Sequence, residues 1–170
     1  MDVTQIIIFG LFFLVPVLMQ PCYDEDKLSD AAERKLRNHY PQPAEPAAAP
    51  DSPVSPASCP VEMFRQPPSK EYKDRSLSPW RYIRVTKADH FPSTYVEAQC
   101  LCTGCILIQD NNHPVESHNY NSVRIMQSRV FLKKELCNNN TEGKKYHLKP
   151  VTVEVAVGCT CVRTQTITSS

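Results

Sequence analysis

The amino-acid sequence predicts an exported, all-β domain whose strands are joined by disulfide bonds. Five of the eight cysteines lie in two short runs, residues 100–105 (CLCTGC) and residues 159–161 (CTC). Because side chains alternate along a strand, two cysteines spaced as C-x-C project to the same face and can meet cysteines of a neighbouring strand. An apolar segment near the first residue predicts export to an oxidising compartment, where disulfides persist.

The first twenty residues are expected to be a signal peptide. Residues 6–15 are apolar without interruption, which matches the apolar region of a signal peptide and is too short to span a bilayer. No later segment approaches eighteen consecutive apolar residues. With cleavage expected near Gln20, the sequence predicts a secreted, extracellular protein with no stable membrane insertion.

Residues 21–74 are expected to form an N-terminal extension that is largely disordered apart from one short helix. The helix is predicted over about residues 24–40, because apolar positions recur there every four residues. Acidic residues lie at its positive end, and Pro41 ends the pattern. The linker over residues 41–60 contains seven prolines, a composition that favours extended chain. The positions that would share one helix face are Leu28, Ala32, Leu36 and Tyr40.

Arg34 and Arg37 have the R-x-x-R spacing of a secretory convertase site. The simpler interpretation is that both are basic residues on the solvated face of the helix. Cleavage after Arg37 would remove the acidic segment, and N-terminal sequencing of the secreted protein would then start at Asn38.

Charge is unevenly distributed along the chain, although the formal net charge is only +1. Residues 1–60 carry eight acidic and four basic residues, whereas residues 61–170 carry ten acidic and fifteen basic residues. The basic part suits an acidic partner surface or a sulfated polysaccharide, but an ordinary solvated surface is the simpler interpretation. Because no dense run of Lys and Arg exists, nucleic-acid binding is not predicted.

Residues 75–163 are predicted to form the folded domain, and residues 164–170 a C-terminal tail. Alternating and β-rich segments predict four strands, with a polar loop over residues 109–121. Gly104 is expected to allow a bulge or bend that turns Cys105 towards the face used by Cys100. Asn139 begins an N-glycosylation sequon in an evident loop. The predicted strands are residues 80–86, 95–102, 122–136 and 151–161.

The last strand has the clearest pattern of the four. Its odd-numbered positions, from Val151 to Cys161, are valines followed by two cysteines. Small and polar side chains alternate with them, so one face is predicted to be buried. Cys159 and Cys161 are therefore expected to continue the buried face.

The cysteines allow three interpretations: structural disulfides, a zinc site or a catalytic thiol. Disulfides are favoured, because the spacing is not that of paired C-x2-C zinc knuckles and the chain is predicted to be exported. The five histidines lie in predicted loops, linkers or strand ends, and no motif ties any of them to a cysteine. Hydrolase, metalloprotease and phosphate-loop motifs are absent, so the sequence predicts neither an enzyme nor a cofactor.

Four segments together resemble the interleukin-17 cytokine family. They are residues 75–82 (RSLSPWRY), 97–106 (EAQCLCTGCI), 121–123 (NSV) and 157–162 (VGCTCV), which occur in the family's order. The resemblance implies a cystine-knot-like fold of two antiparallel strand pairs. It also implies a secreted, disulfide-linked homodimer that signals through interleukin-17 family receptors and promotes inflammatory and epithelial-defence responses.

The resemblance also implies roles for individual cysteines and serines. The two intrachain bridges would be Cys100–Cys159 and Cys105–Cys161, with serines in place of the third bridge of a true cystine knot. By position, the bridges between two chains would use Cys59 and Cys137, while Cys22 and Cys102 are left without an assigned partner. The serines at the place of the third bridge are Ser78 and Ser122.

Trp80, Arg81 and Tyr82 are candidates for receptor or dimer contact, although packing in the core would explain them equally well. An alternative function on the same scaffold is that of a secreted antagonist that sequesters another ligand. Binding a ligand rather than a receptor would distinguish the antagonist from the cytokine.

Overall fold

The computed structural model describes residues 21–48, 59–137 and 144–164. Within these ranges the chain is dominated by antiparallel strands, so the prediction of an all-β protein is confirmed. The predicted signal peptide, the sequon at Asn139 and most of the predicted C-terminal tail lie outside the described residues. No helix in the described ranges is long and apolar enough to cross a bilayer.

One long ribbon of two strands forms the main body of the fold. Strand β7 (Tyr120–Leu136) pairs antiparallel with β8 (Lys145–Arg163) over nearly its whole length. Two short strands extend this sheet, β1 (Tyr23–Asp24) beside β8 and β3 (His90–Phe91) beside β7.

The second antiparallel pair consists of β2 (Trp80–Thr86) and β4 (Thr94–Cys100). The pairs β2–β4 and β7–β8 are the two that the predicted fold class requires.

A third pair, β5 (Cys105–Gln109) with β6 (His113–Ser117), corrects the predicted polar loop over residues 109–121. Strand β6 has little apolar alternation of its own, and it forms because the apolar strand β5 pairs with it. Asn112 adopts a φ of 58° at this connection, a left-handed conformation that asparagine tolerates better than most residues.

A β-bulge in β8 corrects the single buried face that was predicted for the last strand. Ile125 pairs with Gly158 whereas Met126 pairs with Ala156, so Val157 is the extra residue. The bulge shifts the alternation, and Ala156 and Gly158 are buried together with Val155 and Cys159.

The N-terminal helix α1 (Glu25–His39) docks against the long ribbon instead of standing apart from it. Leu28 and Ala32 of the predicted face are buried against Leu132, Tyr146 and Leu148. Burial of a leucine side chain is worth about 2 kcal/mol, so this contact holds the helix in place. The extension is therefore more ordered at residues 21–48 than its composition predicts.

Polar contacts also attach α1 to the ribbon. Lys35 donates a hydrogen bond to the carbonyl oxygen of Leu148 at 3.0 Å. Glu25 forms an ion pair with Lys134, which lowers the pKa of Glu25 and raises the pKa of Lys134.

The second apolar cluster lies on the ribbon next to the first and joins the ribbon to the pair β2–β4. Its centre is Phe131, which is fully buried and meets the ring of Tyr95 edge to face at 5.0 Å between centroids. Val155 completes the buried set, and Val85 of β2 packs against it. In the last part of the extension, a 3-10 helix (Val61–Arg65) and a short helix α2 (Tyr72–Arg75) lead into β2.

Candidate functional site

Two disulfides join the β4–β5 connection to the end of β8. Cys100 bonds to Cys159 and Cys105 bonds to Cys161, with Cα atoms 5.8 and 6.1 Å apart. These are the two pairs that the family resemblance implies. They form a covalent frame around residues 100–105 and 159–161.

Two serines meet inside this frame. The side chain of Ser78 is fully buried, and its hydroxyl hydrogen-bonds to the hydroxyl of Ser122. The segment around Ser78 is held on both sides, because Leu101 donates to the carbonyl of Pro79 at 2.9 Å and Ile106 donates to the carbonyl of Leu77 at 2.8 Å. A hydrogen bond thus joins the positions where a cystine knot has its third bridge.

The chain bends at Thr103 and Gly104, as expected. Gly104 is also required for a close approach between two backbone segments. A Cβ atom at Gly104 would lie 2.5 Å from the carbonyl oxygen of Ser117. The Glu116 carboxylate accepts hydrogen bonds from the amides of Thr103 and Gly104 at 2.9 and 2.7 Å. Strand β6 therefore fixes the turn between the two cysteines of the frame.

The other four cysteines are bonded within the chain, which corrects the expected interchain roles of Cys59 and Cys137. Cys59 bonds to Cys102, and Cys22 bonds to Cys137, so no cysteine is free. Contact between the 3-10 helix and β6 brings Cys59 beside the cysteine run. Docking of α1 and pairing of β1 with β8 bring Cys22 to Cys137.

The sequence left these partners open, because a cysteine's partner depends on how the extension folds back.

A zinc site is contradicted by the same bonds. The one group of three candidate metal ligands in the described ranges is Cys59, Cys102 and Glu116, and its two sulfur atoms are bonded to each other. Neither sulfur can therefore serve as a thiolate ligand.

Trp80 and Tyr82 connect β2 to β8. The indole ring of Trp80 lies over Gly158, where an added Cβ atom would come within 3.4 Å of it. The buried indole nitrogen has no hydrogen-bond partner among the described residues. Tyr82 donates a hydrogen bond to the carbonyl of Val157 at 3.3 Å.

Arg81 differs from its two aromatic neighbours, because its guanidinium hydrogen-bonds along the surface of the β2–β4 pair. Its two nitrogens donate to the side-chain oxygen of Gln99, the residue opposite, at 2.8 and 2.6 Å. All three of these candidates are half-buried, and Arg81 is the one whose polar contacts lie at the surface of the β2–β4 pair.

The proline-rich segment that follows α1 crosses the ribbon through side-chain contacts. Gln42 donates to the carbonyl of Val130 at 2.9 Å. Glu45 pairs with Arg129 at 2.8 Å and accepts a hydrogen bond from the amide of Val96 at 2.7 Å. The Arg129 side chain is only 8% exposed, so this ion pair is partly shielded from water.

A groove of about 530 Å³ separates the edge of β4 from β7. We call this the β4–β7 groove. Beside it on β7, Ile125 and Met126 are 45% and 44% exposed. The β4–β7 groove has a half-buried apolar floor and a rim of polar and charged side chains. This combination is suited to protein recognition. The lining residues are Ile83, Glu97, Ala98, Gln99, Cys100, Ser122, Val123 and Arg124.

The basic residues of the ribbon do not form a uniform patch. Lys149 and Lys133 lie 3.5 and 3.9 Å from Glu135, and Lys145 lies 3.9 Å from Asp24. Because acidic side chains are interspersed, this arrangement favours a solvated surface over a sulfated-polysaccharide site.

Two paired ribbons, a covalent frame of two bridges and a serine pair in place of a third bridge define a cystine-knot-like binding protein. Comparison with known families agrees with this class. Residues 76–163, a little over half of the chain, match the family model described as Interleukin-17, and the chain belongs to that family.

Several relatives support the assignment. Human interleukin-17C is 34% identical over 116 residues, which are 66% of this chain and 57% of that protein. Mouse interleukin-17C is 32% identical over 118 residues, and mouse interleukin-17F is 40% identical over 97 residues, or 55% of this chain and 53% of that protein. The chain thus spans little more than half the length of the curated relatives it matches. The resemblance to the interleukin-17 family drawn from the sequence motifs is confirmed.

Proposed function

We propose that the chain is a secreted interleukin-17-like cytokine that binds and activates interleukin-17 family receptors at the cell surface. The observation that carries the proposal is the match of residues 76–163 to the family, because this range contains both bridges of the frame and the serine pair. The resulting signal promotes inflammatory and epithelial-defence responses. Such a ligand acts by binding and makes or breaks no bond in a substrate.

Secretion is supported by two features of the chain. All eight cysteines are paired in disulfides, a state that persists in oxidising compartments. The apolar residues 6–15 have the length and composition of a signal-peptide core.

The β4–β7 groove is the proposed receptor-contact surface. Glu97 and Gln99 of β4 face Arg124 of β7 across it, and Arg81 lies beside Gln99. Charged rims around an apolar floor provide orientation and specificity, while the floor supplies buried area.

The direct test is binding of the purified chain to a panel of immobilised interleukin-17 receptor ectodomains. Arg124→Glu, which reverses one charge at the groove, should weaken binding about tenfold or more. Arg163→Glu is the matched control, because Arg163 is also exposed on the ribbon but does not line the groove. The proposal fails if no receptor ectodomain binds, and capture of another secreted ligand instead would favour the antagonist.

We further propose that the ligand is a non-covalent homodimer, since every cysteine is bonded within its own chain. Ile125 and Met126 offer exposed apolar surface on β7 for such an interface. Sedimentation should show a dimer that Ile125→Glu dissociates. Ile108→Glu, at an isoleucine that is 49% exposed on β5, should leave the dimer intact.

A further inference from the structure

The disulfide between Cys22 and Cys137 has a histidine and a carboxylate beside one of its sulfur atoms. The Nδ1 atom of His147 lies 3.8 Å from the Sγ atom of Cys137. On the other side of the ring, Nε2 of His147 lies 3.4 Å from the carboxylate of Glu135. The carboxylate holds the ring so that Nδ1 faces the sulfur.

The two cysteines of this bridge differ in exposure. Cys137 is 8% exposed, whereas Cys22 is exposed and is the one such residue among the eight cysteines. Each of the other three bridges joins a buried cysteine to a half-buried one. An incoming thiol therefore reaches Cys22 more readily than Cys137.

We propose that Cys22–Cys137 is a thiol–disulfide exchange site for a small anionic thiol. The thiolate of the incoming molecule attacks Sγ of Cys22, and a new sulfur–sulfur bond forms there as the bond to Cys137 breaks. Sγ of Cys137 leaves as a thiolate, and the imidazolium of His147 transfers its Nδ1 proton to it. The products are a mixed disulfide on Cys22, a thiol at Cys137 and a neutral histidine.

The charges around the bridge favour an anionic reactant. Lys133 and Lys149 flank Glu135, and Lys145 lies opposite Asp24, two residues beyond Cys22. These three lysines exceed the two carboxylates by one charge, an excess too sparse for a polyanionic chain but sufficient to attract a small anion at short range. A thiol that carries carboxylates is attracted to this surface, and a cationic thiol is repelled.

Helix α1 does not depend on this bridge alone for its position. Its apolar face stays buried against Leu132, Tyr146 and Leu148, and Lys35 still donates to the ribbon. Exchange therefore modifies Cys22 while the fold persists.

The first test treats the full secreted chain, with all four bridges formed, with reduced glutathione. Aliquots are alkylated and the labelled peptides are mapped. We expect glutathione on Cys22 and alkylation of Cys137 before any of the other six cysteines reacts. Glutathione on Cys137, or earlier reaction of the bridge Cys59–Cys102, would overturn the proposal.

The second test addresses His147 directly. His147→Asn keeps a hydrogen-bond donor near the position of Nδ1 but cannot transfer a proton, so the exchange rate should fall about tenfold or more. His118→Asn, at an exposed histidine in the turn before β7, at the opposite end of the ribbon from Cys22–Cys137, should leave the rate unchanged. Equal rates in the wild-type chain and His147→Asn would contradict proton transfer by this residue.

The third test compares thiols of different charge, at rates expressed per thiolate. Glutathione should react several-fold faster than cysteamine, and added salt should reduce the difference. Faster reaction of the cationic thiol would contradict the proposed ligand class.

The second test also needs a control for folding. Unchanged circular dichroism of His147→Asn would confirm that the variant retains its fold.

Discussion

The two ends of the β7–β8 ribbon are stabilised in different ways. At the frame end, residues 120–125 and 158–163, two disulfides and a serine pair hold the strands, and large apolar side chains such as Ile125 and Val162 are exposed. At the helix end, residues 131–136 and 145–155, apolar clusters hold the ribbon and one bridge lies at the margin. Leu136, the last residue of β7, is 56% exposed at the helix end, so the two ends differ in what holds their strands together and not in whether they expose apolar side chains.

The two bridges of the frame are partly redundant, because each restrains the same part of the unfolded chain. With Cys105–Cys161 intact, Cys100–Cys159 closes only a short circuit through residues 100–105 and 159–161. The entropy of loop closure depends on loop length, so either bridge alone already restrains most of the unfolded chain.

The largest effect is therefore expected when both bridges are removed together. Replacing all four frame cysteines by alanine should cost about 7 kcal/mol, whereas Cys100→Ala with Cys159→Ala should cost about 2.5 kcal/mol. The first loss is comparable with the whole stability of many domains, so no cooperative unfolding transition is expected. Denaturant unfolding of both variants tests this, and equal losses would show that the bridges are not redundant.

At the helix end, the most damaging single substitution should be Phe131→Ala. It removes a fully buried ring that contacts Tyr95, and the cavity should cost about 4 kcal/mol. Val162→Ala, at a position that is 39% exposed at the frame end, should cost less than about 1 kcal/mol. Thermal unfolding of the two variants measures the contrast, which disappears if the frame end also depends on apolar packing.

The marginal bridge at the helix end should matter for stability but not for docking of the helix. Cys22→Ala with Cys137→Ala should cost about 4 kcal/mol, chiefly by freeing the unfolded chain, because the bridge closes a long loop. Hydrogen exchange should still show protected amides over Glu25–His39, because Leu28 and Ala32 remain buried. Loss of that protection would mean that the bridge, and not the apolar face, docks the helix.

The smallest effect concerns the ion pair of Glu25 and Lys134. The pKa of Glu25 is lowered by its hydrogen bond to Lys134, so this pair stabilises docking above the ordinary carboxyl pKa and is lost as pH falls through the lowered value. The pKa of Lys134 is raised by the same contact, so the stabilisation is lost again as pH rises through that raised value. Amide exchange of the helix should differ between wild type and Glu25→Gln at neutral pH, and the difference should persist down to the ordinary carboxyl pKa and vanish only once the pH is below the lowered pKa of Glu25. A difference that persists in acid would assign the effect to another group.

The sequence predicted the elements of the fold better than their contacts. The four-residue spacing located α1 and its buried residues Leu28 and Ala32, because helical periodicity reports which side of an element is apolar. It could not report that the ribbon would cover that side. Strand β6 was missed for the same reason, since its pairing with β5 stabilises it more than its own composition does.

Cysteine partners show the same limit. The C-x-C spacings indicated a shared face for two strands, and the family resemblance implied the frame. The docked extension brings Cys22 to Cys137 and Cys59 to Cys102. Its path depends on contacts such as that of Glu45 with Arg129. The bulge at Val157 is invisible in the alternation of the last strand, because it depends on the register with β7.

The bonds at Cys22 and Cys59 have a consequence for proteolysis. Each end of the intervening segment is tied to the folded domain, so a single cut anywhere between them yields a two-chain molecule of nearly unchanged mass. Cleavage after Arg37 would therefore not remove the acidic segment, in contrast to the expectation from the linear sequence. The cut would leave two new chain ends that can move away from the ribbon. Only reduction of the disulfides would separate the two pieces.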